Sequence, residues 1–190
     1  MGIQRSLENP NLCSRCGHHL SIGEIHPICL LEFGIVSNLR FGSVELEKLS
    51  ERELPTLCGQ LRSRLEEFGA LVLPVANNRP LLLSAYFNAP VRLAKPESVA
   101  YNSLLKCVAW LNTEISSLGI DCDWSAALTS GYVELMNCEG PLQCVPIGEV
   151  NFQGIKLFNQ ALPGQLLADR QFLDHLVEQD PAKVPPTILE

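Results

Sequence analysis

The sequence predicts an α+β protein: a small N-terminal zinc finger, then a compact domain with an antiparallel sheet and two to three helices. Three observations carry that expectation. Cysteine and histidine pairs cluster between Cys13 and Cys29. Apolar residues recur at helical spacing near 50–68 and 95–118. Short apolar runs broken by turn residues fill 70–94. The expected domains are 1–40 for finger and connector, 41–181 for the α+β domain, and 182–190 for an extended tail.

The finger comes first. Cys13-Ser14-Arg15-Cys16 is followed after nine residues by His26-Pro27-Ile28-Cys29. Two such pairs at the ends of a hairpin suit the tetrahedral, four-ligand geometry of a structural Zn2+. Gly17 stands where a knuckle needs positive φ. The expected ligands are Cys13, Cys16, His26 and Cys29, with His18 and His19 as substitutes for His26. The plain alternative is buried thiols and solvent histidines.

Next is a helix over about 50–68. Ser50 and Glu53 form a capping box, Leu54, Leu57, Leu61, Leu65 and Phe68 give the apolar stripe, and Gly69 sits at the C-cap. The runs 70–75, 81–87 and 91–94, separated by Asn77-Asn78-Arg79-Pro80 and Asn88-Ala89-Pro90, read as three strands of a meander. Pro96 and Glu97 open a long helix that Gly119 ends. Beyond it, Tyr132–Met136 alternates like a strand, and Gln143–Ile147 is a weaker one that Pro146 assigns to an edge. A last helix is expected over about 164–179, stopped by Asp180-Pro181. The tail carries Pro185-Pro186 before Thr187-Ile188-Leu189, an extended apolar segment suited to docking on another protein.

Composition narrows the classes. The chain has 190 residues, 46% hydrophobic and only 18% charged, so part of its surface suits a protein partner. A net charge of −7 argues against whole-chain nucleic-acid binding. The charge is uneven: residues 70–110 carry Arg79, Arg92, Lys95 and Lys106 against Glu97 alone, while 111–150 carry acids and no Lys or Arg. Arg15, Arg79, Arg92 and Lys95 are therefore the candidate phosphate contacts. No apolar run reaches membrane-spanning length, and no signal core follows Met1, so a reducing, cytoplasmic setting is expected.

Catalytic patterns are not found. A closed zinc site leaves no open position, no His-x-Glu accompanies the Cys-x-x-Cys, and no phosphate-cradling glycine loop occurs. His175 beside Asp174 and Glu178 reads as a surface residue on a helix. The expectation is that the chain is not an enzyme.

Cys13, Cys16 and Gly17, with Cys29 closing the finger and apolar segments at Leu71–Phe87 and Val91–Leu93, resemble the Cas8-like zinc-finger subunit of type IV CRISPR effector complexes. The compact His26–Cys29 pair departs from that family's pattern. The resemblance implies a non-catalytic subunit of a nucleoprotein complex, with protein subunits, guide RNA and target DNA as partners and no membrane. The alternative is a zinc-finger protein-interaction adaptor without nucleic-acid contact.

Overall fold

A computed structural model describes residues 25–37, 53–74, 82–89, 91–118, 122–137 and 144–183. They form a mixed sheet with four helices. Strand β1 (Ile25–Ser37) is followed by α1 (Glu53–Glu67), β2 (Leu71–Pro74), β3 (Leu82–Phe87) and α2 (Pro96–Leu118). Then come β4 (Cys122–Asn137), β5 (Cys144–Ile147), α3 (Glu149–Gln160), β6 (Gln165–Ala168) and α4 (Arg170–Gln179), with a 3-10 turn at Pro181–Lys183.

The strand order is β2-β3-β1-β4-β5. Strand β6 shares the far edge of β4, parallel to it over Ser125–Leu128, while β5 lies antiparallel over Glu134–Asn137. The sheet is therefore mixed, where the sequence suggested an antiparallel one. Its centre is the pair β1 and β4, antiparallel from Ile25↔Glu134 to Ser37↔Cys122.

The side-chain period of two divides this sheet into two faces. Cys29, Leu31, Phe33 and Ile35 point to one face. There they meet Leu57, Leu61 and Leu65 of α1, Leu104, Cys107 and Leu111 of α2, and Phe172 and Leu176 of α4. Ile28 and Leu30 point to the other, with Tyr86, Val133, Leu135 and Val150. Helix α3 covers that second face, with Val150, Gly154 and Phe158 buried.

Several expectations change. Residues 25–37 were assigned to finger and connector; they are the central strand. A strand buried on both faces reads as a nearly continuous apolar run, so its period of two was hidden. Residues 91–94 are not a strand. Asn88 takes φ 74. Its Nδ2 donates to the Pro27 carbonyl at 2.8 Å, and its Oδ1 accepts from Leu93 N at 2.7 Å. That Asn fixes a turn and sends the chain off the sheet. The single helix expected over 164–179 is a strand and a helix. Gly164 at φ 75 starts β6. Asp169 caps α4, its side chain accepting from Phe172 N at 2.7 Å. Helix α3 was not foreseen, and the described residues hold four helices rather than two or three. Helices α1 and α2 lie close to where periodicity and caps placed them; α1 closes on Gly69 at φ 81.

Candidate functional site

On the α3 face, an open cavity of about 360 Å³ lies between α3 and the junction of β6 with α4. Its walls are Gln153, Lys156, Leu157 and Gln160 of α3, Thr129 of β4, and Asp169. The α3 residues fall at spacings of three and four, so one stripe of the helix lines the cavity. The lining offers one ammonium, two amides, a small apolar surface and a carboxyl. The carboxyl is already engaged. Its two oxygens accept from Phe172 N at 2.7 Å and Ser130 N at 3.3 Å. Burial raises the Asp169 pKa, while those two N–H groups and His175 oppose the rise.

Beneath α3 sits a second carboxyl, Glu32, 1% exposed in the middle of β1. Its cross-strand neighbour Ser84 donates to both oxygens, at 2.9 and 2.8 Å. Burial pushes the Glu32 pKa up to about 7, and the Ser84 bond only partly offsets that. Helix α3 crosses here at Gly154, where a Cβ would lie 2.9 Å from Leu30 Cδ2 and 3.2 Å from Glu32 Cγ. The Thr129 hydroxyl beside it is buried with no hydrogen-bond partner.

The opposite face holds a different polar cluster. Glu97, in the first turn of α2, is 4% exposed. Its Oε1 accepts from Ser130 Oγ at 2.9 Å, and His175 Nδ1 lies 3.2 Å away. Its Oε2 accepts from Gln179 Nε2. This cluster ties α2, α4 and β4 together. His175, read from sequence as a plain surface residue, belongs to it.

Of the residues expected to bind zinc, only His26 and Cys29 are described, and those two do not converge. His26 and Cys29 are three apart on one strand, so their side chains face opposite sides of the sheet. Cys29 is fully buried in the apolar core. Burial, with Glu97 and Asp169 adding to it, raises its thiol pKa well above the ordinary value. A metal-binding thiolate needs the reverse. Cys13, Arg15, Cys16, His18, His19 and Arg79 lie outside the described residues. Among the described residues no group of three or more His, Cys, Asp or Glu is placed to hold a metal ion. Arg92 is exposed in the connection before α2. Lys95 is exposed too, and its Nζ donates to the Gln179 carbonyl at 3.0 Å, which makes it a cap for α4. No described helix is long and apolar enough to cross a membrane.

The cavity was not legible in the sequence, because α3 was not. Its one readable trace is the helical spacing of Val150, Gly154 and Phe158 behind Gly148-Glu149.

No family model matches the chain, and no curated protein matches it. Solved structures do. The adenylyl cyclase CyaB from P. aeruginosa is 12% identical, with 82% of each chain covered and a TM-score of 0.66. The guanylate cyclase domain of RhGC from Catenaria anguillulae, in complex with GTP, is 13% identical, covering 80% of this chain and 84% of that one at a TM-score of 0.61. A dimeric guanylyl cyclase domain of the RhoGC fusion protein from the aquatic fungus Blastocladiella emersonii is 12% identical, covering 82% and 86% at a TM-score of 0.62. These findings overturn the likeness to a CRISPR subunit, which rested on Cys13, Cys16, Gly17 and Cys29 and on the apolar segments at Leu71–Phe87 and Val91–Leu93. Guide RNA, target DNA and the zinc-finger adaptor go with it. The expectation of a non-catalytic chain falls as well, since the domains that share this architecture are cyclases. Across four-fifths of its length, this chain has the fold of nucleotide cyclase domains.

Proposed function

We propose that this domain is an enzyme of the nucleotide cyclase type, acting on a purine nucleoside triphosphate together with a second domain of the same fold. The supporting observation is the fold shared with adenylyl and guanylyl cyclases over some 80% of both chains. In such a reaction the ribose 3′ oxygen attacks the α-phosphorus, pyrophosphate leaves, and the 3′ proton passes to solvent. The α3 cavity can serve the substrate rather than the bond-making itself. Lys156 offers charge to a phosphate, Gln153 and Gln160 offer amides to base or ribose, and Leu157 offers an apolar surface to a ring.

One lysine does not balance a triphosphate, and the chain as a whole carries −7. The reading therefore needs cations from a partner domain. An apolar surface suited to one is exposed. Ile25, Glu134 and Ile147 lie side by side across β1, β4 and β5, flanked by Tyr132 and Met136 on the same face. The helices α1, α2 and α4 leave this end of the sheet bare. Phe152, 72% exposed, stands one turn before Lys156 on α3 and adds another apolar side chain open to a partner. Phosphoryl transfer often uses divalent cations. The described residues do not assemble a site for one, because Asp169 is engaged by backbone N–H groups, and no step here is routed through a metal.

The test is incubation of the purified protein with ATP or GTP and divalent cations, with mass-spectrometric detection of cyclic nucleotide and pyrophosphate. Stoichiometric release of both products is expected. Lys156→Ala should lower kcat/KM about tenfold, one charge-assisted contact's worth. Tyr132→Asp should shift the protein to monomer and abolish turnover without unfolding it. Failure of either nucleotide to bind at millimolar concentration would overturn the reading.

A further inference from the structure

We propose that Glu32 is a proton-operated latch for helix α3: with the carboxyl protonated the helix lies closed on the sheet, and with it ionised the helix lifts at Gly154 and admits water to the carboxylate.

The geometry carries the argument. Glu32 sits at the centre of a six-stranded sheet with α3 directly above it. The missing Cβ of Gly154 lets the helix approach so closely that the Glu32 side chain has no room for a water shell. Among the described residues its hydrogen-bond partner is a single hydroxyl, Ser84, which favours the charged form but offsets only part of the cost of burial. Around it stand Leu30 on its own strand, Leu82 and Tyr86 on β3, Ala127 and Thr129 on β4, and Phe158 on α3. The Tyr86 hydroxyl is held neutral by burial and by Glu32, and a tyrosine carries no positive charge in either form. Among the described residues no charged group pairs with Glu32, and the neighbouring cavity wall carries Lys156 and Asp169. An ionised carboxylate in such a place must find water or a cation. The cavity beside α3 is the route by which water arrives. The orphan Thr129 hydroxyl, between Gly154 and the cavity, is ready to bond the first molecule. Burial holds the Glu32 titration near pH 7, so the latch would work within the ordinary physiological range.

The experiment is amide hydrogen exchange on the intact protein from pH 5.5 to 8.5, corrected for the intrinsic pH dependence of exchange. Peptides from α3 are compared with peptides from α2. In the wild type, α3 exchange should rise about fivefold or more above pH 7 while α2 stays flat. Glu32→Gln, which keeps the Ser84 bond and cannot ionise, should hold α3 closed throughout. Ser84→Ala removes the one donor that favours the charged form, so it should move the rise to higher pH. A rise that persists in Glu32→Gln, or a flat wild-type profile, overturns the latch. Should Glu32→Gln fail to fold, a carboxyl-carbon NMR titration of the wild type decides: a Glu32 midpoint in the ordinary range of about 4–5 overturns it equally.

Discussion

Two buried glutamates lie on opposite faces of one sheet, and their surroundings differ. Glu97 is met by Ser130, His175 and Gln179, contributed by β4 and α4. Among the described residues, Glu32 is met by Ser84 alone. Both are under 5% exposed. Burial by itself therefore does not set what a carboxyl does; the number of donors turned toward it does. Three donors suit a carboxylate, and they make Glu97 a tie between helices. One hydroxyl offsets burial only in part, and it leaves Glu32 sensitive to pH near 7.

The strongest way to break this comparison is to remove the tie. Glu97→Ala leaves the Ser130 hydroxyl and the Gln179 amide without their acceptor, in a region where water has little access. At about 1–3 kcal/mol for each orphaned buried donor, the expected loss is about 4 kcal/mol. His175 is half exposed and can turn to solvent, so it adds little. Denaturant unfolding measures the loss, and a change below about 1 kcal/mol would show that the cluster is not structural.

The second test has the opposite sign. The Glu32 pKa is raised in the folded state, from an ordinary 4.5 to about 7. The native state then binds more protons than the unfolded state between those values. Its contribution is fully present below about pH 4.5 and is lost as pH rises through 7. Glu32→Gln should thus stabilise the protein at pH 8 by up to about 3 kcal/mol and leave it nearly unchanged at pH 4.5. Paired urea titrations at the two pH values check this. Equal stability of variant and wild type at pH 8 would place Glu32 among ordinary carboxyls.

A third test addresses the helix above Glu32. In Gly154→Ala the new methyl would press on Leu30 and Glu32. A cost of about 1–2 kcal/mol is expected, because Leu30 is a side-chain end that can shift but is fully buried. With the latch operating, this cost should be largest at pH 5, where α3 lies closed on the sheet, and smaller at pH 8, where the helix lifts at Gly154. Thermal unfolding at pH 5 and pH 8 measures the difference.

How much of this was legible in the sequence follows from the same geometry. Helices α1 and α2 show a polar side to solvent, so the 3.6 period stood out, and Gly69 and Pro96 marked their ends. Strand β1 has no solvent face over Ile28–Ile35. Its Cys29 read as a metal ligand, when it is a core residue with the buried acid Glu32 on the opposite face. The Cys-x-x-Cys motif then drew the whole N-terminal segment into a finger. Helix α3 was missed because Asn151, Phe152, Gln153 and Gly154 mix polar, aromatic and glycine residues over a single turn. The site needed β1, β4 and α3 together, and two of those three were misread or unseen. What the sequence did show is that Glu97 suits a helix N-terminus. The partners that make it a tie, Ser130, His175 and Gln179, are 33, 78 and 82 residues away.

The smallest expected effect bears on Lys95, which stands two residues before Glu97. From the sequence it was a candidate phosphate contact. In the structure its ammonium donates to the last carbonyl of α4, that of Gln179, whose side chain in turn donates to Glu97. A cation at a helix C-terminus meets the negative end of the dipole and an unsatisfied carbonyl. The group is exposed, so water and salt weaken the interaction. Lys95→Ala should cost about 0.5 kcal/mol at low salt and less at 1 M salt, with Lys95→Gln intermediate because an amide can still donate. The variant sharpens the comparison between the faces: if Glu97 is held by its three direct donors, losing Lys95 leaves the Gln179 bond in place and the loss stays small. A loss near that of Glu97→Ala would mean instead that the cation orders Gln179, and that the tie depends on a charge at the surface rather than on the buried donors.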